Sequence, residues 1–405
     1  MYIIGKTGTG KSSLLANMAL SDINNGYGLA VIDPHGDLID HLLSVIPKHR
    51  LEDTVYLDVG SRSHSISFNP LSQIPRQNHS VVVSGLISVF KKIWSEFWGP
   101  RLEHILRHSL FTLLDYPTAT LLDIPLLLTN KTFRTSVITH VGDEAIRAFW
   151  HNEFEKYSPW LRSDAVSPIL NKIGQFLTSP ILRNIVGQRA NKLKFRSLMD
   201  QKKIVLINLS KGTVGEDISS LLGSLFSTYF YLSALSRASL DESERIPFYL
   251  YIDEFQNFLT HSFSNMLSET RKYGLNLVLA HQFMNQLNPV IRDAVVGNIG
   301  TLISFRVGLD DADYLKKEFY PFFTDTDLIN LPNYHIILKL MIDGVTSQPF
   351  TGHTLPLSLP KESFKESIIK HSQQHYCLPA KLISRLLNTN ISNKKNSRSK
   401  IQKLF

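Results

Sequence analysis

Short apolar runs alternate with helical hydrophobic spacing in the first part of the chain. Tyr2 to Ile4 form a continuous apolar run, residues 11–23 have the spacing of a helix, and residues 29–32 form a second apolar run. Residues 54–59 alternate toward a third strand. Continuous apolar strands that alternate with helices are typical of a parallel sheet covered on both faces. The pattern therefore predicts an α/β domain.

Between residues 76 and 200 the strand pattern disappears, and large apolar side chains recur at helical spacing. All four tryptophans lie in this region, and we expect its prolines to break it into short helices. We predict an inserted all-α domain with its own aromatic core. The tryptophans are Trp94, Trp98, Trp150 and Trp160, and the prolines are Pro117, Pro125, Pro159, Pro168 and Pro180.

The sheet pattern resumes after residue 200. We expect a helix over residues 218–236 and another that reaches Tyr273, with Gly274 as its C-terminal cap. After Pro360 the pattern decays into a polar, lysine-rich tail that we expect to be mobile. The strands predicted here cover residues 203–209, 248–252, 275–280, 301–305 and 334–341.

These patterns divide the chain into four parts. Residues 1–75 and 201–360 would form one α/β domain, residues 76–200 the inserted domain, and residues 361–405 the tail. Basic residues exceed acidic ones by eight in the tail and by seven in residues 76–196, whereas the rest of the chain has a net charge of −7. A basic segment attracts polyanions through counterion release, although a solvated basic surface gives the same pattern.

Composition excludes several other classes of protein. The single cysteine, Cys377, excludes a disulfide framework, and no metal-ligand spacing accompanies the fifteen histidines. Any metal should therefore arrive with a nucleotide. The first residues do not resemble a signal or transit peptide, and the uncharged stretch between Asp217 and Arg237 is rich in serine. We expect that stretch to be a buried helix in a soluble chain.

A complete phosphate-loop motif follows the first predicted strand and begins the first helix. Its glycines let successive N–H groups turn toward phosphate oxygens, and the positive end of the helix points at them. Lys11 can reach the β- and γ-phosphates of ATP, and Ser12 can hold Mg²⁺. The predicted nucleotide-binding residues are Gly5, Lys6, Thr7, Gly8, Thr9, Gly10, Lys11, Ser12 and Ser13.

Two adjacent acids separate a motor ATPase from most other P-loop proteins. Asp253 and Glu254 follow the predicted strand 248–252 directly. In a motor ATPase the first carboxylate assists Mg²⁺ and the second polarises the attacking water. We therefore predict Asp253 as a metal ligand and Glu254 as a catalytic residue, although a strand that merely ends in a helix-capping Asp is the alternative. Gln282, after the next strand, could sense the γ-phosphate, although an ordinary polar residue at a strand end is the alternative.

Arg271 lies near the end of the helix that precedes the strand 275–280. It could simply complement the negative end of that helix. It could also serve as an arginine finger, whose guanidinium neutralises charge in the transition state. A finger that acts on a neighbouring subunit would require a ring.

Taken together, these segments resemble the TraD/TraG-like coupling proteins of type IV secretion and conjugation, within the FtsK/HerA class of hexameric DNA-pumping ATPases. The resemblance extends from residue 1 to about residue 355 and adds the following segments to the motifs above. They are Val31-Ile32-Asp33-Pro34-His35-Gly36-Asp37, Asn208-Leu209-Ser210-Lys211-Gly212, Tyr251-Ile252-Asp253-Glu254-Phe255-Gln256, Ala280-His281-Gln282 and Gly297-Asn298-Ile299-Gly300-Thr301.

The resemblance implies a RecA-like P-loop NTPase with a mainly parallel central sheet and a mostly α-helical inserted domain that faces the substrate. It implies ATP and Mg²⁺ as cofactors, and DNA, further copies of the chain in a hexamer and a relaxase or other secretion components as partners. Arg271 would match the trans-acting arginine of the family and Gln282 its sensor. Asp33 and His35 match a motif at the second strand, where a turn-forming role is equally open, and Arg306 is a further candidate near the nucleotide.

Three functions stay open at this point. The first is a DNA translocase of conjugation or type IV secretion, located in the cytoplasm at the inner face of the membrane. The second is a related motor in segregation, repair or packaging of a mobile element. The third is a nucleotide-gated scaffold that docks substrates without pumping. Family coupling proteins carry a membrane anchor before the motor, so here the anchor either lies outside this sequence or the chain is a soluble relative.

Overall fold

The computed structural model describes residues 1–260, 263–360 and 362–387. The chain forms two compact units. The sheet unit consists of Met1–Leu57 and Phe195–Ser372, and the helical unit consists of Asp58–Lys194 with the described residues from Gln373 onward. The predicted boundaries at residues 75, 200 and 360 differ from these limits and stay a prediction.

A nine-stranded sheet forms the centre of the sheet unit in the part of the chain described. The strands within the described residues are β1 (Tyr2–Ile4), β2 (Gly28–Asp33), β3 (Thr54–Asp58), β4 (His64–Ile66), β5 (Ile204–Asn208), β6 (Phe248–Ile252), β7 (Leu275–His281), β8 (Leu302–Ser304), β9 (His335–Lys339), β10 (Met341–Ile342), β11 (Val345–Thr346), β12 (Phe350–His353) and β13 (Cys377–Pro379). The strand order of the nine-stranded sheet is β12-β9-β8-β1-β7-β6-β2-β5-β3.

Parallel pairing joins the strands that precede the predicted site residues. β1 lies between β7 and β8, β6 pairs with β7 and β2, and β2 pairs with β5, all in parallel. β9 and β12 continue the sheet in antiparallel fashion. The carboxyl ends of the parallel strands therefore meet at one edge, and the mainly parallel α/β fold is confirmed.

Seventeen α-helices, with a short further one near the end of the described residues, surround the sheet and build the helical unit. They are α1 (Lys11–Asn24), α2 (Asp37–Val45), α3 (His79–Ile93), α4 (Pro100–Leu114), α5 (Ile124–Thr129), α6 (Lys131–Ile138), α7 (Glu144–Ala148), α8 (Pro159–Thr178), α9 (Pro180–Val186), α10 (Phe195–Asp200), α11 (Lys211–Val214), α12 (Glu216–Leu235), α13 (Phe263–Glu269), α14 (Pro289–Asn298), α15 (Leu309–Phe319), α16 (Asp325–Ile329) and α17 (Lys365–Tyr376). A short further helix covers residues 380–387.

Helix α12 is a buried core helix, as the sequence predicts. Leu222, Leu225, Phe226 and Phe230 are completely buried along it. Within the described residues, only Glu216–Ser239 is long and apolar enough to cross a membrane by length and composition, and 72% of that window is buried in the protein. The core helix of a globular domain has the same composition, so this segment is explained by its packing.

Aromatic side chains cluster in the helical unit as predicted, but the predictions for Trp160 and Pro168 are wrong. Trp94 stacks on Phe90, and Trp150 is completely buried next to Phe154. Trp160, by contrast, is 76% exposed and contributes no core. Pro168 does not break a helix but lies inside α8. A proline removes one hydrogen bond from a helix, and tertiary packing of the surrounding turns can offset that loss.

The expected mobile tail after Pro360 is wrong for its first half. Residues Lys365–Tyr376 form helix α17, in which Ile368 is buried in the core of the sheet unit. The strand β13 then pairs with β4 in the helical unit. The sequence misses both elements because their partners lie about three hundred residues away in the chain. The tail cluster Lys394, Lys395, Arg398, Lys400 and Lys403 lies outside the described residues.

We predict that Arg237→Met lowers the free energy of unfolding by about 2–3 kcal/mol. The Arg237 side chain is completely buried, and it donates hydrogen bonds to Asp200 and to the carbonyl oxygens of Ile246 and Tyr273. Removing the guanidinium leaves two buried carbonyl groups without this donor and leaves the Asp200 carboxylate with its bond from Arg196 alone. Urea denaturation measures the change.

Lys316→Met is the control, since its ion pair with Asp313 lies on the surface of the same unit. An exposed pair contributes little to stability, so this variant should unfold like the wild type. Equal denaturation midpoints for the Arg237 and Lys316 variants would contradict the prediction.

Candidate nucleotide site

The phosphate loop connects β1 to α1 and depends on two glycines. A Cβ at Gly5 would lie 2.5 Å from Cβ of Phe305, so no larger residue fits there. Gly10 begins α1 with φ 115°, a conformation that L-residues avoid, and it offers no side-chain cap. The first N–H groups of a helix have no acceptor within the helix. The loop therefore presents uncapped donors and the positive end of a 14-residue helix.

The loop is fastened to the sheet by its first residues. The Gly5 and Lys6 N–H groups donate to the carbonyl oxygens of His281 and Arg306, at 3.4 and 2.9 Å. The buried Thr9 hydroxyl donates to the Lys6 carbonyl oxygen at 2.7 Å. These bonds use the N–H groups at the start of the loop, so the amides from Thr7 onward are the ones that can turn toward a phosphate.

Lys11 is buried, and its ammonium group has only neutral partners in the loop. Its Nζ donates to the carbonyl oxygens of Gly5 and Lys6, at 2.6 and 3.1 Å. Burial lowers the pKa of Lys11, although the nearby carboxylates of Glu254 and Asp253 oppose that shift. A bound phosphate would supply the opposite charge that this buried ammonium group lacks.

Ser12 and Asp253 meet across the edge of the sheet. The Ser12 hydroxyl lies 3.4 Å from Oδ2 of Asp253, which follows the last residue of β6. Burial, with the negative charges of Asp33 and Glu254, raises the pKa of Asp253 to about 7, despite the opposing charge of Lys11. Oxygen donors of this kind are the ligands that Mg²⁺ prefers.

Glu254 is held by two glutamine side chains. Its Oε1 accepts from Nε2 of Gln282 at 2.9 Å, and its Oε2 accepts from Nε2 of Gln256 at 2.7 Å. The backbone of Glu254 is left-handed, with φ 47° and ψ 48°. Its carbonyl oxygen accepts from Asn257, and its N–H donates to Asp253. These bonds fix a carboxylate beside the predicted metal ligand in a conformation that L-residues rarely adopt.

Asp33 and His35 have a structural role in this fold. The Asp33 carboxylate accepts hydrogen bonds from the N–H groups of His35, Leu38 and Ile39, at 2.8, 3.0 and 3.3 Å. It thereby orders the turn into α2, while the His35 side chain is exposed. Of the two roles left open by the sequence, the geometry favours the turn.

Arg271 lies at the other edge of the sheet. It precedes β7, whose seven residues span roughly 20 Å, and the phosphate loop follows the opposite end of the neighbouring β1. Its side chain is exposed and forms no ion pair within the described residues. It lines a cavity of about 610 Å³ with Asp22, Tyr251 and Thr270. Within one chain, Arg271 is not brought to the phosphate loop.

The residues present fit a magnesium-bound nucleoside triphosphate. The loop from Gly5 to Ser13 offers N–H groups and Lys11, and Ser12 with Asp253 offers oxygen ligands. Glu254 and Gln282 lie at the same edge. The buried Oε1 of Gln256 has no hydrogen-bond partner in the part of the chain described, which leaves a polar acceptor free beside Glu254.

Three residues contact this site in ways that the sequence did not predict. Gln256 and Asn257, which hold Glu254, lie two and three positions after it in the chain, and the sequence-based predictions assign them no role of their own. Tyr334 was assigned to a strand, whereas it precedes β9 and lies against Gly10. A polar residue two positions after a predicted catalytic acid is a signal that could have identified Gln256.

The sheet and this loop give the chain the RecA-like P-loop fold. Residues 247–317 match the family model described as the TraM recognition site of TraD and TraG. This match, which includes Asp253, Glu254, Arg271 and Gln282, confirms the resemblance to TraD/TraG-like conjugative coupling proteins. No curated protein sequence matches the chain.

Solved structures of coupling proteins share the fold. The plasmid coupling protein TrwB in complex with ADP and Mg²⁺ has a TM-score of 0.64 and 17% identity, over 89% of this chain and 86% of that one. The unbound monoclinic form of TrwBdeltaN70 has a TM-score of 0.60 and 16% identity, over 90% of this chain and 85% of that one. VirB4 of Thermoanaerobacter pseudethanolicus has a TM-score of 0.53 and 14% identity, over 89% of both chains. At these identities the likeness establishes the fold.

We predict that Asp253→Asn stabilises the nucleotide-free protein at alkaline pH. The pKa of Asp253 is raised to about 7 from an ordinary value of 3.8. The folded state therefore keeps a proton that the unfolded state releases, and stability falls as pH rises between about pH 4 and pH 7. Asparagine does not titrate, so it removes this dependence on pH. Relative to wild type, the free energy of unfolding of the variant should rise by about 2 kcal/mol between about pH 5 and pH 8.

Urea denaturation with a chelator present measures this difference at both pH values. Asp343→Asn is the control, because Asp343 is exposed in the turn between β10 and β11. A stability difference between wild type and Asp253→Asn that does not change with pH would contradict the prediction.

Proposed function

We propose that this protein is an ATP-driven DNA translocase of the coupling-protein kind, which hydrolyses ATP at subunit interfaces of a hexameric ring in conjugation or type IV secretion. DNA, further copies of the chain and a relaxase or other components of the relaxosome would be its partners. The proposed motor acts on the cytoplasmic side of the membrane.

The position of Glu254 is the observation that carries the proposal. A protein that only binds a nucleotide needs the phosphate loop and the metal ligands, but it has no need of a second buried acid. Glu254 lies beside Asp253, in a left-handed conformation held by Gln256 and Gln282. A carboxylate fixed next to the metal ligand can polarise a water molecule for attack on the γ-phosphate. This favours hydrolysis over nucleotide-gated docking.

Each residue of the site then has a separate role. Lys11 would bind the β- and γ-phosphates, and Ser12 with Asp253 would hold Mg²⁺, which neutralises charge on those phosphates. Glu254 would orient the attacking water molecule. The Gln282 amide donates to Glu254, so contact of that amide with a γ-phosphate would exchange one partner for another. Such an exchange can report the state of the nucleotide to β7 and the residues beyond it.

The place of Arg271 supports a ring. A single chain has no guanidinium group from this helix near its own phosphate loop, because the length of β7 separates the two. An exposed arginine without an ion-pair partner in the described residues is available to another molecule. In a ring, the edge of one subunit that carries Arg271 would face the phosphate loop of the next one.

DNA as the substrate rests on the family match and the fold. Residues 247–317 match a model named for TraM recognition, and the solved relatives are conjugative coupling proteins. The net positive charge of residues 76–196 is compatible with a polyanion near the helical unit. A related motor in another setting would share these features, and the identity of the loading partner would separate the two.

We predict that Glu254→Gln lowers the rate of ATP hydrolysis by a factor of roughly 10²–10⁴ without loss of ATP binding. The change removes the negative charge that polarises water but leaves the loop and the metal ligands intact. Steady-state hydrolysis with and without DNA measures the effect, and for wild type we expect strong stimulation by DNA.

Glu216→Gln is the matched control, since Glu216 is exposed in the first turn of α12. Hydrolysis that survives in Glu254→Gln would exclude this residue as the carboxylate that polarises the attacking water molecule. A wild-type rate that is indifferent to DNA would favour the docking scaffold over the translocase.

We predict that Arg271→Ala and Lys11→Ala are each inactive alone and regain activity when mixed. An arginine finger contributes a factor of roughly 10³–10⁵ to phosphoryl transfer. In a mixed ring, a subunit with Lys11→Ala still offers Arg271 to the intact phosphate loop of an Arg271→Ala neighbour. ATP hydrolysis measured over a range of mixing ratios tests this.

Lys272→Ala, which removes an exposed cation from the same turn, should behave like the wild type. A mixture as inactive as its two components would mean that Arg271 does not act on a neighbouring subunit.

A further inference from the structure

Tyr334 is an exposed aromatic residue in a strained backbone conformation. Its φ is 67°, in the left-handed region that favours glycine, and 53% of its surface is exposed. Neither feature helps the protein to fold, because the side chain contributes little buried area and the backbone is unfavourable. Residues in such conformations cluster at ligand sites, so the surroundings of the ring decide what it does.

The ring lies directly against the phosphate loop. The Tyr334 N–H donates to the carbonyl oxygen of Thr9 at 2.8 Å. A Cβ on Gly10 would lie 2.9 Å from Cδ1 of the Tyr334 ring and 3.2 Å from Cε1 of Phe305. Gly10 is therefore enclosed by two aromatic rings, of which Phe305 is buried and Tyr334 reaches solvent. The exposed ring is fixed at the rim of the predicted phosphate site.

A second apolar side chain lies near Tyr334 at the same rim. The Thr354 N–H donates to the Tyr334 carbonyl oxygen at 2.9 Å, and the next residue, Leu355, is 72% exposed. Asn17 of α1 donates to the carbonyl oxygens of Leu355 and Pro356, at 2.9 and 3.2 Å. Asn17 is four residues after Ser13, so it shares a helix face with the end of the phosphate loop. Tyr334 and Leu355 thus border this face of α1.

Arg306 holds the segment that presents the ring. Its Nη2 donates to Oδ1 of Asn333 at 2.8 Å, and its Nη1 lies 3.5 Å from the carbonyl oxygen of Leu331. The backbone of Arg306 in turn accepts from the Lys6 N–H. These contacts give Arg306 a positioning role, in which it ties the Tyr334 segment and the phosphate loop to the same strand end.

We infer that Tyr334 stacks on the base of the bound nucleotide at the rim formed with Leu355 and the exposed face of α1. This inference rests on the proposed nucleotide site. Phosphates bound by the loop amides leave the sugar and base to extend past the end of the loop, where an exposed ring is already fixed. The Tyr334 hydroxyl has no hydrogen-bond partner in the described part of the chain, so the contact uses the face of the ring. Every base has such a face, and the site should accept ATP and GTP alike.

The test compares ligands with and without a base on the full-length chain. Isothermal titration would use a non-hydrolysable ATP analogue and inorganic tripolyphosphate, both with Mg²⁺. We expect Tyr334→Ala to bind the ATP analogue about tenfold more weakly, as for other base–aromatic contacts, and to bind tripolyphosphate like the wild type. Tyr334→Phe should keep wild-type affinity for both ligands.

Trp160→Ala is the control, since it removes an aromatic side chain that is even more exposed and lies in the helical unit. Thermal melts establish that each variant is folded. Unchanged affinity of Tyr334→Ala for the ATP analogue would overturn the inference, and so would an equal loss of tripolyphosphate binding, which would make the ring a support of the loop. A wild-type protein that binds neither ligand would instead overturn the proposed nucleotide site, and this inference with it.

Discussion

The in-register parallel pairing of β1, β7 and β6 is the constraint on which the candidate site depends. Ile4 lies opposite His281, and Leu279 lies opposite Ile252, so the residues after three strands come together at one edge. A slip of one residue in β6 would move Glu254 by about 3.3 Å and turn its side chain to the other face of the sheet. Pairing on both sides opposes such a slip, because β6 would have to break its hydrogen bonds with β2 and with β7 at once.

The same pairing brings four ionisable side chains together at a buried edge of the sheet. Asp33, Asp253, Glu254 and Lys11 are all buried at this edge, and burial raises the pKa of Asp253 and lowers that of Lys11. Both shifts favour the neutral forms of these groups. A magnesium-bound triphosphate carries the charges that both groups lack. Its binding would therefore be coupled to release of a proton from Asp253 near neutral pH.

Much of this arrangement could be predicted from the sequence because its signals are local. β6 is found where the apolar run 248–252 places it, and Gly274 caps the preceding turn with φ 72°, as its position predicts. The short strands β4 and β13 could not be predicted, because each is a strand only through a partner that is remote in the chain. Pairing of this kind has no periodicity that a sequence shows.

The same holds for the candidate site. Some of its features are visible in contiguous residues, whereas others depend on which strands are neighbours. The phosphate loop and the two acids after β6 are visible as contiguous residue types. The contact of Gln282 with Glu254 depends on β6 and β7 being neighbours, and the contact of Tyr334 with Gly10 depends on a segment after β8 returning to β1. Both follow from strand order, which a sequence does not state. The position of Arg271 at the far edge likewise emerges only from the parallel direction of β7.

Glu254 and Tyr334 share a feature that only their side chains explain. Both are L-residues in left-handed conformations, which cost on the order of 1–3 kcal/mol each. Glycine at either position would relieve that strain at once, as it does at Gly10 and Gly36 nearby. It would also remove the carboxylate at the end of β6 and the ring beside the phosphate loop. The side chains therefore account for the strained backbone at both positions. In the proposed function, Glu254 contacts the attacking water molecule and Tyr334 contacts the base of the nucleotide.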